Sequence, residues 1–165
     1  MDLKNISVYI LTIKLVLINA TIISFTLLNS NVFSQDEIFN TKLSGQAVVP
    51  PTDAHEAGLA EFTSMNNSFK YSVNVTNIED ITAGHIHLGK QEDNGQVVVT
   101  LFEFDSPQSV VSQSGTITSD KLEGPMQGKQ IIDLAAAMTN GSTYVDVHTK
   151  ENINGKVRGQ INNMN

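Results

Sequence analysis

Over most of its length the chain alternates between apolar and polar side chains. Phe69-Lys70-Tyr71-Ser72-Val73-Asn74-Val75 places apolar residues at every second position, the period of a half-buried strand. The shorter segment Leu59–Thr63 precedes it across the turn residues Asn66-Asn67-Ser68, so the pair predicts a hairpin. Upstream, Phe39–Val49 predicts a first strand, stopped by Pro50-Pro51. The loop that follows, to Gly58, contains Asp53, His55 and Glu56. Downstream, Ile81–Leu88 and Gln96–Phe104 predict strands separated by the polar loop Gly89–Gly95, and Pro107 is expected to end the second. Its run Val97–Phe102 is apolar on both faces, as in a strand covered on both sides.

After a short strand at Gln113–Thr118 and a polar connection through Pro125, the period changes. Ile131–Met138 has apolar residues at helical spacing among strong helix formers, and Gly141 is placed to end a short helix near 130–139. Ser142–Thr149 and Lys156–Ile161 return to strand, joined through the turn signal Asn154-Gly155. About seven or eight short strands at this spacing predict an all-β fold, an antiparallel β-sandwich or Greek-key barrel with one short helix.

The first 34 residues break the alternation. Lys4 precedes an apolar run, Ile6 to Leu28, interrupted by Lys14 and Asn19 and followed by Val32-Phe33-Ser34-Gln35. This is the pattern of a secretory signal peptide, with an uncleaved N-terminal anchor as the alternative. Lys14 at a bilayer centre would cost about 2.5–3.5 kcal/mol. The uninterrupted part, Leu15–Leu28, is shorter than the roughly 20 residues of a span. The expected organisation is a leader over 1–34, a linker over 35–40 and a β domain over 41–162, with a secreted or extracytoplasmic location. Any membrane association would run through that uncleaved leader. Seventeen acidic against ten basic side chains give a net charge of −7, and no basic stretch exists. Such a surface repels phosphate backbones, which argues against nucleic acid as a partner and favours cations or extracellular proteins. With no cysteine, the exported domain has no disulfides and depends on its core, with or without a bound metal.

Candidate chemistry lies in the histidines. Of four in the chain, three fall in two predicted strands, as Ala83-Gly84-His85-Ile86-His87-Leu88-Gly89 and Tyr144-Val145-Asp146-Val147-His148-Thr149. The period of two puts His85 and His87 on one face and Gly84, Ile86 and Leu88 on the other. It likewise sets Asp146 and His148 opposite Val145 and Val147. The aliphatic faces are expected to point into the core. His85, His87 and His148 would then meet on the outer side if the strands are neighbours. Three imidazoles suit zinc or copper. Asp146 would serve as a fourth ligand or hold a ring from behind, and an acid from the Gly89–Gly95 loop would be a further ligand. Arg158, sharing a face with Lys156 and Gln160, is expected near the same patch. The alternative is a purely structural network of these histidines around Asp146 and Arg158. His55 reads as a solvated loop residue. No nucleophile elbow, paired catalytic carboxylates or phosphate loop appears, so a metal-dependent enzyme is the weakest of the possible functions.

These blocks also resemble a known family. Leu43-Ser44-Gly45-Gln46-Ala47-Val48-Val49-Pro50-Pro51 is followed by the His85-Ile86-His87 block and by Asn94-Gly95-Gln96-Val97-Val98-Val99-Thr100-Leu101. Ser114-Gly115-Thr116-Ile117, Leu122-Glu123-Gly124-Pro125, the His148 block and Gly155-Lys156-Val157-Arg158-Gly159-Gln160-Ile161 complete the series. In this order they resemble the CHRD domain, named for the extracellular protein chordin and widespread in prokaryotic exported proteins. The resemblance spans about Thr41 to Ile161 and implies a secreted, mostly β domain, without settling its activity. It does not choose between a metal-holding module and an adhesion or interaction domain with structural histidines. Asp146 departs from the Asn expected in the family's block, and Lys156 replaces an expected acid. The His-x-His is also similar to the copper strand of copper-zinc superoxide dismutases, but this chain lacks the cysteines and bridging histidine of those enzymes.

Overall fold

A computed structural model describes residues 37–164. The leader expected over residues 1–34 lies outside the described residues. The strands are β1 (Ile38–Ser44), β2 (Glu56–Met65), β3 (Ser68–Val75), β4 (Ile81–Leu88), β5 (Gln96–Gln108) and β6 (Val111–Ile117). The helix α1 (Ile131–Thr139) follows, then β7 (Thr143–Thr149), β8 (Val157–Gln160) and the short β9 (Asn162–Asn163). All pair antiparallel in the order β5-β4-β7-β8-β1-β2-β3-β6, with β9 on β1.

The two ends of that order, β5 and β6, are joined by only Ser109 and Val110. So short a link forces the sheet to curl until its edges approach, which gives a nearly closed barrel. Across the seam the Tyr71 hydroxyl of β3 donates to the Leu101 carbonyl of β5 at 2.5 Å. The curvature has a local source. Pairing with β4 steps from Phe102 to Thr100 and again from Val99 to Val97, so Leu101 and Val98 are extra residues. Such bulges bend a strand and leave their own polar groups outside the ladder. Both freed carbonyls find partners: Leu101 takes the Tyr71 hydroxyl, and Val98 accepts from the Glu123 amide at 3.0 Å. The bulges also explain why the consecutive pairs Val98-Val99 and Leu101-Phe102 are all buried.

The core fills the barrel with the inward set of each strand, among them Phe39, Leu43, Phe62, Phe69, Val73, Ile86, Val145 and Val157, none of which has any exposed surface. Each large side chain contributes about 1.5–3 kcal/mol by leaving water. Helix α1 adds Ile131, Leu134 and Met138 to the same core. A capping box starts it, with the Gln130 amide donating to the Asp133 carboxylate at 2.8 Å. Gly141 ends it at φ +67°, a conformation glycine adopts without strain.

Three elements differ from the sequence expectation. The first strand stops at Ser44, not Val49, because the chain folds back at Gly45, whose amide and carbonyl bond Ala54 and Thr52 at 3.0 Å. Pro107 lies within β5 and does not end it. The strand is an edge of the sheet, where a missing N–H costs no ladder bond. β2 extends to Glu56–Met65, well beyond the predicted Leu59–Thr63, because β1 and β3 pair along both its sides.

Candidate metal centre

β4 and β7 are direct neighbours, with His85 opposite Asp146, Ala83 opposite His148 and His87 opposite Tyr144. β8 completes the set with Arg158 opposite Asp146. Directly opposed residues of antiparallel strands project to the same face. His85, His87, Tyr144, Asp146, His148 and Arg158 therefore share one face, opposite the aliphatic core. That face is not open surface, as the sequence suggested. Asp146 is 4% exposed, His87 8% and Arg158 2%, because loops fold over them.

One ligand-type atom from each of His85, His87, Asp146 and His148 lies within 4.8 Å of the others. The centre of the group is Asp146 Oδ1, which is 3.0 Å from His87 Nε2 and 2.9 Å from His148 Nε2. The far side of each ring fixes its proton. His87 Nδ1 is 2.8 Å from the Gly95 carbonyl, and His148 Nδ1 is 2.8 Å from the Ile153 carbonyl. A carbonyl can only accept, so both Nδ1 atoms donate. In a neutral ring Nε2 then carries a lone pair. Two lone pairs thus converge on a carboxylate oxygen that also only accepts, and a positive charge is needed between them.

Protons meet this need only in part. The His148–Asp146 contact is well aligned as a hydrogen bond. His87 Nε2, although equally close to Asp146, points out of line and has no hydrogen-bond partner, and His85 Nδ1 is buried without one as well. Buried nitrogens left this way mark a place for a missing ion or water. Ligands about 2 Å from one ion lie roughly 3–4 Å apart, so the two Asp146 contacts already have metal-site spacing. The widest separation in the group exceeds it by under about 1 Å. The cluster can hold a metal ion.

The electrostatics are those of a strongly coupled buried group. Burial pushes the Asp146 carboxyl up, but the hydrogen bond from His148 and the adjacent His87 ring outweigh it and hold its pKa below the usual value. Burial lowers His148, and the Asp146 carboxylate reverses this, so His148 titrates above an ordinary histidine. His85 is pushed down by burial and then by the charge of His148, so it takes up a proton less readily than an ordinary histidine.

Arg158, expected near the patch, lies on the site face opposite Asp146, and its guanidinium bonds the covering loop and not Asp146. Its guanidinium donates to the Lys90 carbonyl at 2.7 Å and the Asp93 carbonyl at 2.8 Å. It also sits over the Tyr144 ring, and Tyr144 stacks on His87 at 4.9 Å with planes 12° apart. The Gly95 amide donates to the Tyr144 hydroxyl at 3.1 Å. Arg158 thus holds the Gly89–Gly95 loop, which delivers the Gly95 carbonyl to His87. The loop acids are not in the cluster; Asp93 accepts from the Lys90 amide instead. Asp146 stands at the centre of the site, not behind it. His55 is exposed, as expected. The alternation places Tyr144 on the site face, but no sequence pattern marks the Gly95 and Ile153 carbonyls, because backbone acceptors carry no residue-type signal.

An open pocket of about 710 Å³ lies above the group, with His85, His87, Asp146 and His148 all in its lining. Compared with known proteins, the family model described as the CHRD domain matches residues 39–161. No curated protein and no solved structure matches the chain.

Proposed function

This chain belongs to the CHRD domain family, and we propose that it is an exported binding module that holds a zinc or copper ion through His85, His87, His148 and Asp146. One observation carries the proposal: both Nδ1 atoms are committed to backbone carbonyls, which turns two Nε2 lone pairs onto a single oxygen of Asp146. Imidazole nitrogens and a carboxylate, with no sulfur, suit Zn²⁺ or Cu²⁺ better than Cu⁺ or the oxygen-seeking Ca²⁺ and Mg²⁺. The carbonyls behind the rings are the orienting partners that metal-bound histidines ordinarily have. The ion would lock two neighbouring strands and the loops over them, a useful brace for a domain without disulfides.

A second reading, an extracellular interaction domain with structural histidines, draws on the aligned His148–Asp146 hydrogen bond and the stack of Arg158, Tyr144 and His87. Titration of the purified, untagged protein with Zn²⁺ and Cu²⁺ separates the two, with His87→Ala and His148→Ala in parallel. Sub-micromolar binding lost in both variants is the result expected of a metal site. Absence of binding by a folded wild type overturns it. Unfolding of both metal-free variants, without any metal effect on the wild type, favours the interaction domain.

A further inference from the structure

All four ligand residues stand on two adjacent strands of one sheet face, so they reach an ion from one side only. The other side is the pocket, whose floor they form. An ion held there keeps at least one coordination position turned to the pocket, as in zinc and copper sites that bind an exogenous ligand. Much of the wall is apolar, with Val49 and Pro50 from the loop after β1, Val97 from β5 and Ile153 from the β7–β8 hairpin, beside the polar Thr82, Asn94, Thr149 and Asn154. Ile153, a lining residue that is 74% exposed, also uses its carbonyl to hold His148. A divalent ion with one carboxylate ligand leaves a net positive charge at the bottom of a cup with a largely apolar wall. No lysine or arginine lines the pocket to offer an anion another anchor.

Resting on the metal reading above, we infer that the pocket takes a small carboxylate with an apolar body, its carboxylate on the open position of the ion and its hydrocarbon part against Val49, Pro50, Val97 and Ile153. Both halves of this fit are general: the ion prefers an anionic oxygen, and the walls favour removing hydrocarbon from water. The pocket volume is within the range of small-ligand sites.

The test uses the full-length protein loaded with Co²⁺, whose visible absorption reports its coordination. The probes are benzoate, acetate and benzyl alcohol. Benzoate is expected to change the cobalt spectrum saturably and to bind roughly tenfold or more tighter than acetate. Benzyl alcohol, with the same body and no charge, is expected to leave the spectrum unchanged. Val49→Glu, which puts a second carboxylate into the wall, is expected to weaken benzoate by roughly tenfold or more. Cobalt that binds but answers to neither anion overturns this inference and leaves the metal reading standing. Equal affinity for acetate and benzoate overturns the apolar body. Failure of the folded protein to bind cobalt, zinc or copper overturns both.

Discussion

The guanidinium carbon of Arg158 lies 3.4 Å from the centre of the Tyr144 ring. The same ring stacks on His87, so a cation, a phenol and an imidazole form one column beside the Gly89–Gly95 loop. Lysine would keep the charge of Arg158 but lose the planar fork that bonds two loop carbonyls at once. Arg158→Lys is expected to lower the unfolding free energy by about 1–3 kcal/mol, read from urea titration. Metal affinity should fall with it, because the Gly95 carbonyl is no longer held against His87. Wild-type stability in this variant would show that the loop is fixed by other contacts.

The metal-free protein should respond to pH through Asp146 and His148 in opposite directions. Asp146 has a lowered pKa, so its contribution is present above the usual carboxylate value and is lost as pH falls through its folded pKa. His148 has a raised pKa, so its contribution is full below the usual histidine value and is lost as pH rises through its folded pKa. His85, with a lowered pKa, works against the pair by favouring unfolding at pH below the ordinary histidine range. Denaturant midpoints across pH 4–8 should therefore decline on the alkaline side as His148 deprotonates, and His148→Gln should remove that decline. Saturating zinc should abolish it too, because the ion replaces the proton between His148 and Asp146.

Where β8 crosses β1, Gly159 has no room for a side chain. A Cβ there would overlap the Thr41 hydroxyl and the Lys42 carbonyl, which is backbone and cannot rotate away. Gly159→Ala is expected to destabilise by about 1–3 kcal/mol or more in thermal or denaturant unfolding. Gly128→Ala, at φ +77° but with nothing within 4 Å of the added carbon, is the control for backbone strain alone and should cost less.

Local alternation made the individual strands legible, most clearly Ile81–Leu88, where the predicted and observed limits coincide. The same period put His85 and His87 on one face and His148 with Asp146 on another, and adjacency of β4 and β7 joined them. What alternation does not report is curvature. The bulges at Val98 and Leu101 depend on which strand pairs with β5, a long-range fact that no local window contains. The burial of the histidine face was illegible for the same reason, since it depends on loops such as Gly89–Gly95 being drawn over it by Arg158 from the far end of the chain. Pro107 misled because a proline's effect on a strand depends on whether the strand is an edge.

The substitution Asp146→Asn isolates the central claim, because it changes the chemistry of the site with almost no change in shape. An amide presents two N–H donors where the carboxylate has none, and both Nε2 atoms lie within hydrogen-bond distance of that side chain. With asparagine the lone pairs of His87 and His148 are met without any cation. If the carboxylate makes this a metal site, calorimetric titration with Zn²⁺ should show affinity reduced on the order of 100-fold in Asp146→Asn. The metal-free variant should unfold at an equal or higher denaturant concentration than the wild type. Equal zinc affinity in both proteins, or no zinc binding by the folded wild type, would contradict the account.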